Sequence, residues 1–214
     1  MSRLVIFIHS NNETLDIGIS ERYNLTIEKN EEMGGNYEAI LTADTCYGVI
    51  RGLESFYQLI QAVLKKNEKA AEYFLINQLE INKLKNEEEF EYVINNLPIK
   101  IEDFPKFMWR GLMIDTARHF VEKEQLLKDI NAMTFAKMNV FHWHFTDHES
   151  YSITSKKYPQ IQTGTFNPHS IYSLQDISDV IQFARDRGII VIPEIDMPSH
   201  CASFSKAFPN LTVS

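Results

Sequence analysis

The 214-residue sequence predicts an α/β protein: an α+β unit over residues 1–103, then a parallel strand–helix unit over residues 104–214. Three observations carry that expectation. Short apolar stretches separated by Asn, Gly and acidic clusters fill residues 4–43, as strands do. One long apolar stripe at helical period follows them. After Asp103-Phe104-Pro105 the pattern becomes strand, helix, strand, helix, strand, the order of a parallel α/β fold.

In the first unit, Leu4 to His9, Tyr23 to Glu28 and Glu38 to Ala43 read as antiparallel strands. A helix starting near Thr45 buries Val49, Ile50, Leu53, Phe56, Tyr57, Ile60 and Leu64 on one face. Gly48 and Gly52, four residues apart, let that helix approach a sheet closely at some cost in helix propensity. Residues 65–96 are rich in Lys, Glu and Asn. Strands are expected there near Phe74–Ile76 and Phe90–Ile94, with Glu87-Glu88-Glu89 as a solvated turn.

In the second unit, Gly111–Ile114 is the first strand and Glu124–Ala136 a helix with Leu126, Leu127, Ile130 and Met133 inward. Asn139–Phe145 is the second strand. A second helix begins near Leu174, where Ser173 and Asp176 suit a capping box, and Ile177, Val180, Ile181 and Ala184 form its buried stripe. Arg185 and Arg187 complement its C-terminal dipole and Gly188 stops it. Ile189–Glu194 is nearly all apolar, as a strand buried on both faces should be.

Composition removes several function classes. With 44% hydrophobic and 23% charged residues the chain resembles an ordinary globular protein. A net charge of −8 offers no surplus to neutralise phosphates, so no nucleic-acid partner is expected. No apolar run approaches the ~20 residues of a membrane span. MSRLVIFIHSNN has too short an apolar part for a signal peptide and reads as a strand. Cys46 and Cys201 make no metal framework and are expected to be buried thiols. The sequons at Asn12, Asn24 and Asn210 would accept glycans only on a secretory route.

Parallel α/β folds gather their chemistry at the C-terminal ends of strands. Asp115, Asp147, Glu194, Asp196 and His200 fall there, a carboxylate rim with one imidazole suited to a hydroxylated substrate. Arg110 opens the first strand in the parity of Leu112 and Ile114. Its fork could hold two vicinal hydroxyls, or it could be a structural Arg paired with Asp103 or Asp115. His142 and His144 share one strand face, but no third ligand stands at metal spacing, and strand histidines more often satisfy core hydrogen bonds. Trp143 is expected to pack on a helix, and Trp109 to be core rather than a sugar platform.

Four motifs then occur in order: Tyr47-Gly48-Val49-Ile50-Arg51-Gly52-Leu53-Glu54-Ser55-Phe56, Trp109 to Phe120 (WRGLMIDTARHF), Asn139 to Asp147 (NVFHWHFTD) and Pro193 to His200 (PEIDMPSH). Together they resemble the family 20 glycoside hydrolases, the β-N-acetylhexosaminidases. The resemblance implies an α+β domain (1–103) followed by the first part, about three strands, of a (β/α)8 TIM barrel (104–214). It implies hydrolysis of terminal non-reducing N-acetylhexosamine from glycoconjugates or chitooligosaccharides, with no cofactor or metal. Dimerisation and a lysosomal or secreted location would follow from the same source.

By that resemblance Arg110 would bind hydroxyls of the terminal amino sugar. Asp147 and His200 would form a charge network behind an adjacent Asp-Glu pair. In the family's scheme the Glu protonates the leaving oxygen, while the Asp orients the substrate's own 2-acetamido group for attack on the anomeric carbon. No Gly-Gly-Asp-Glu occurs in the 214 residues, and Ser199 stands where the family usually has Gly. If that position requires positive φ, Ser would strain the backbone and displace His200. A complete barrel takes ~250 residues. The chain is therefore expected to be part of a longer hydrolase, the other reading being a catalytically dead sugar-binding or subunit-interaction module. A chitinase-type barrel is disfavoured because no D-x-D-x-E run is found.

Overall fold

A computed structural model describes residues 3–64 and 90–211. They fall into two compact units, Met1–Glu13 with Ser20–Pro105, and Thr14–Ile19 with Lys106–Ser214.

The first unit is built on a four-stranded mixed sheet of β1 (Arg3–Ile8), β2 (Tyr23–Asn30), β3 (Asn36–Ala43) and β6 (Ile99–Asp103), in the order β1-β3-β2-β6. The β2–β3 pair is antiparallel, as expected, and β2 also pairs antiparallel with β6. β1 departs from the expectation and runs parallel to β3. The cause is topological: β3 inserts between β1 and β2, so β1 pairs with the strand after the turn rather than with the next strand in sequence. Strand alternation puts Tyr23, Leu25, Ile27, Ala39, Leu41 and Ala43 in the core.

Helix α1 (Cys46–Leu59) covers that face. Its N-cap Thr45 accepts the Gly48 N–H on Oγ1 at 3.3 Å. The two glycines are needed for the approach. A Cβ on Gly48 would lie 2.4 Å from the Arg22 carbonyl oxygen, and one on Gly52 would lie 2.3 Å from Leu41 Cδ1. Arg51, buried on the same helix, pairs with buried Glu21 at 2.6 Å.

The apolar period suggested that α1 continues to Leu64, but it stops at Leu59. Gln61–Leu64 instead forms β4, which pairs antiparallel with β5 (Phe90–Val93). Here strand pairing overrides a local pattern that fits either structure. The short alternation that makes β6 was not anticipated. The strand expected near Phe74–Ile76 and the Glu87–Glu89 turn lie outside the described residues.

In the second unit β7 (Gly111–Asp115), α2 (Lys123–Phe135), β8 (Val140–Thr146), α3 (Leu174–Arg185) and β9 (Ile190–Ile195) form a three-stranded parallel sheet, order β7-β8-β9, with its two helices. One face is apolar. Phe141, Trp143 and Phe145 of β8 bury against Leu126, Ile130 and Met133 of α2 and Val180 and Ala184 of α3. Trp143 stacks edge-on with Tyr172, ring centroids 4.9 Å apart, and donates Nε1–H to Thr116 Oγ1.

The expected capping box forms between Ser173 and Asp176, and Gly188 (φ +65°) follows the end of α3. Arg187 donates to the Phe183 carbonyl in the last turn. Several burial expectations fail: Ile181 of the α3 stripe, and Leu53 and Tyr57 of the α1 stripe, are exposed. Ile190, Val191 and Ile192 are half-buried rather than enclosed, because β9 is the last strand of this sheet. Trp109 precedes β7 and is 53% exposed, not core. Cys46 and Cys201 are half-buried. A 3-10 turn (Pro159–Gly164) and a short helix α4 (Ala202–Ala207), which pack on each other, add to the expected set.

Candidate active site

The chemistry sits on the face of the parallel sheet opposite the aromatic core, and strand register explains why. In β7, β8 and β9, Leu112, Phe141 and Val191 align, as do Ile114, Trp143 and Pro193, and this parity faces the helices. The alternate parity aligns Met113, His142 and Ile192, then Asp115, His144 and Glu194. Thus the last row before the strand ends carries two carboxylates and an imidazole. Register slips between His144 and Thr146 on β8, just before the chain turns out at Asp147.

Arg118, three residues beyond β7, gathers the loops. Its Nη1 lies 2.6 Å from Asp115 Oδ2, and its Nη2 lies 2.6 Å from Asp147 Oδ2. Asp115 Oδ1 meanwhile accepts the main-chain N–H groups of Ala117 and Arg118 at 3.0 Å each, fixing the turn that presents the guanidinium. Asp147 has no exposed side-chain surface. Its Oδ1 accepts the His148 N–H and lies 3.0 Å from His200 Nδ1. Ser203 Oγ donates to the Asp147 carbonyl at 2.6 Å, tying α4 to the same loop.

Burial by itself would raise the Asp147 pKa. The His148 N–H, the His200 ring and the Arg118 charge outweigh it and hold the carboxyl below its ordinary value. Asp115 shows the same balance: desolvation opposes the Arg118 main-chain and side-chain hydrogen bonds and the nearby His144, and the net shift is downward. Arg118 is in turn pushed up, chiefly by its bond to Asp115. The arrangement is a half-exposed guanidinium braced by Asp115 and Asp147, with a third carboxylate, Glu149, 3.9 Å from its Nε.

His144 lies between the acids. Nδ1 is 3.3 Å from Asp115 Oδ1, and Nε2 is 3.3 Å from Asp196 Oδ2 and 3.7 Å from Asp147 Oδ2. One row deeper, His142 Nε2 pairs with Glu194 Oε2. Asp115, His144 and Asp147 bring potential metal-ligand atoms within 4.8 Å of one another, as do His144, Glu194 and Asp196, and Asp147, Asp196 and His200. The Arg118 guanidinium already supplies a cation at 2.6 Å from Asp115 and Asp147. An apolar hollow of about 430 Å³, lined by Tyr151, Tyr158, Ile161, Ile195, Met197, Phe204, Phe208 and Leu211, contains none of these charged groups.

The structure therefore brings together Asp115, Asp147, His200 and Asp196 from the expected set and puts Glu194 one pairing away on His142. Arg110 is elsewhere. Its Nε donates to the Lys137 carbonyl and its Nη1 to the Phe107 carbonyl, at the N-terminal end of the sheet. Its parity is the reason: it alternates with Leu112 and Ile114, the helix-facing series, and the interior position expected for it does not occur. Arg118 was not anticipated, and His144 was expected only as a strand histidine satisfying core hydrogen bonds. Their signals were present, since Arg118 stands one turn after a strand-terminal Asp and His144 aligns with Asp115. The positive φ (+58°) falls on His200 rather than Ser199, so the strain expected at Ser199 is absent there.

Comparison with known proteins finds related sequences and folds. Residues 107–214 match the model of the glycosyl hydrolase family 20 catalytic domain, and residues 1–59 match one described as β-acetyl hexosaminidase like. The chain is similar to β-hexosaminidase subunit B1 of Dictyostelium discoideum, 37% identical over 211 residues, covering 99% of this chain and 33% of the relative. It is also similar to β-hexosaminidase 1 of Arabidopsis thaliana, at 34% over 211 residues, 99% of this chain and 35% of the relative. Among solved structures it resembles the chitobiase of Flavobacterium johnsoniae (TM-score 0.73, 29% identity, 97% of this chain and 26% of that one). It also resembles an exo-β-N-acetylglucosaminidase of Vibrio harveyi in complex with N-acetylglucosamine (TM-score 0.68, 28% identity, 99% and 30%). The chain spans about a third of the length of the curated relatives it matches.

Proposed function

The chain belongs to glycoside hydrolase family 20, and from that premise we propose that the whole protein releases terminal non-reducing N-acetylhexosamine from glycoconjugates or chitooligosaccharides by substrate-assisted, retaining catalysis. The observation that carries the reading is the Arg118–Asp147–His200 chain at the strand ends. A guanidinium held by Asp115 and Asp147, with Glu149 3.9 Å from its Nε, offers its remaining Nη hydrogens to vicinal sugar hydroxyls, which a planar fork meets with parallel hydrogen bonds. Arg118 takes the substrate-gripping role expected of Arg110.

Asp147 and His200 act behind the reacting centre. The buried carboxylate fixes the imidazole through Nδ1 and leaves Nε2 to face the acid–base pair of the family. In the family's reaction a carboxylic acid delivers its proton to the leaving oxygen. The acetamido oxygen closes on C1 as the glycosidic bond breaks, and water then opens the cyclic intermediate with retention. Glu194 and Asp196 support the network through His142 and His144 and do not themselves react.

The test is hydrolysis of p-nitrophenyl N-acetyl-β-D-glucosaminide against p-nitrophenyl β-D-glucoside by the full-length protein. Only the first carries the internal nucleophile, so only it should be cleaved, with the β-anomer released first by NMR. Equal cleavage of the glucoside, or inversion, would overturn the mechanism. Binding of N-acetylglucosamine without turnover would favour a sugar-binding role.

A further inference from the structure

We infer that His144 is a positioning residue that couples the sugar-gripping arginine to the acid–base side of the site, an assignment that rests on the proposed hexosaminidase reading. The ring is 95% buried and stands where β7, β8 and β9 align Asp115, His144 and Glu194. Each ring nitrogen faces a different acid. Nδ1 meets Asp115, the acid that fixes Arg118; Nε2 meets Asp196 at 3.3 Å and faces Asp147, the acid that fixes His200, at 3.7 Å.

Two further facts support the assignment. Carboxylate oxygens only accept, so each 3.3 Å contact is one that a ring N–H can satisfy. His144 Nε2 and Asp147 Oδ2 are also both buried without an aligned hydrogen bond. A polar group buried in that way is costly to the fold unless charges of opposite sign face it. Arg118 Nη2 faces Asp147 Oδ2 at 2.6 Å, and Asp115 and Asp196 face the His144 ring at 3.3 Å. The imidazole thus fills the space between three acids that would otherwise repel, and it keeps Asp115 and Asp147 at the separation spanned by the two Nη atoms of Arg118.

The experiment replaces His144 in the full-length protein by Leu, Asn and Gln and measures kcat and KM on p-nitrophenyl N-acetyl-β-D-glucosaminide. His144→Leu should lower kcat/KM about 100-fold, the loss typical of a displaced positioning group. Asn puts an amide where Nδ1 stood and keeps the Asp115 arm, so it should retain KM and lose kcat. Gln puts an amide where Nε2 stood and should retain kcat and raise KM. A role in packing alone would leave Asn and Gln indistinguishable, and that result, or a Leu variant of unchanged kcat/KM, overturns the inference. A second readout needs no turnover. In a 13C carboxyl titration His144→Leu should raise the Asp115 pKa, since His144 helps to lower it. A wild-type protein without hydrolytic activity would remove the functional reading, and an unmoved Asp115 would separately remove the role of His144.

Discussion

Nη2 of Arg118 lies 2.6 Å from Oδ2 of Asp147, joining the loop after β7 to the loop after β8 through a carboxylate with no exposed surface. That contact sets the order of the site. It takes one edge of the guanidinium for structure and helps hold the Asp147 carboxyl below its ordinary pKa beside His200.

The two arginines should separate in mutagenesis. Arg118→Lys keeps a charge but loses the fork. It should raise KM and cut kcat/KM in the full-length enzyme roughly 10–100-fold, the equivalent of about 1.5–3 kcal/mol for a hydrogen bond to a charged group. Arg110→Lys should leave KM unchanged and lower the melting temperature, because its bonds go to main-chain carbonyls. A KM defect confined to the Arg110 variant would reverse these roles.

Asp147 should make stability depend on pH at the acid end. Its folded pKa lies below the unfolded carboxylate value, so its contribution is present in full above about pH 4 and is lost as pH falls through the folded pKa. Asp147→Asn should therefore melt below wild type at pH 7, and the two curves should converge as pH drops below 4. Parallel Tm–pH curves would show that the carboxylate contributes nothing.

The helix–sheet contact of the first unit should not tolerate even a methyl group at its closest point. Gly48→Ala meets a main-chain oxygen that cannot move alone and should cost about 3 kcal/mol. Gly52→Ala meets the Leu41 side chain, which can rotate, and should cost about 1–2 kcal/mol. Urea denaturation midpoints of the two variants would rank them.

Breaking the buried pair Arg51–Glu21 from one side should be worse than removing both charges. Arg51→Met strands a carboxylate that is 4% exposed and should cost about 3–5 kcal/mol. The double variant Arg51→Met/Glu21→Gln should recover a large part of that loss, as a double-mutant cycle by chemical denaturation would measure.

Most of the second unit was legible because period and punctuation agree there. Ser173 and Asp176 cap, Gly188 stops, and Phe141, Trp143 and Phe145 alternate with His142 and His144. The first unit was harder. Residues 60–64 fit a helical stripe as well as a strand, and only pairing with Phe90–Val93 decides between them. That β1 pairs with β3 is a property of the whole sheet that no local window contains. In the site, Asp147, Asp196 and His200 followed from strand ends, whereas Arg110 was misplaced because its parity was read as inward. Parity has no absolute sense until packing shows which series meets the helices.

The alternation along β8 makes one segment answerable to two masters, its odd-numbered aromatics to the helices and its even-numbered histidines to the chemistry. Substitutions there can be judged one by one, but a change in length cannot. A single codon inserted between Val140 and Phe141 would turn every later side chain of the strand about, presenting Trp143 to the carboxylate cluster and His144 to the oily interior. Such a lineage would lose the core packing and the carboxylate cluster in the same step. Insertions should thus be purged from this strand far more strictly than from the loops on either side.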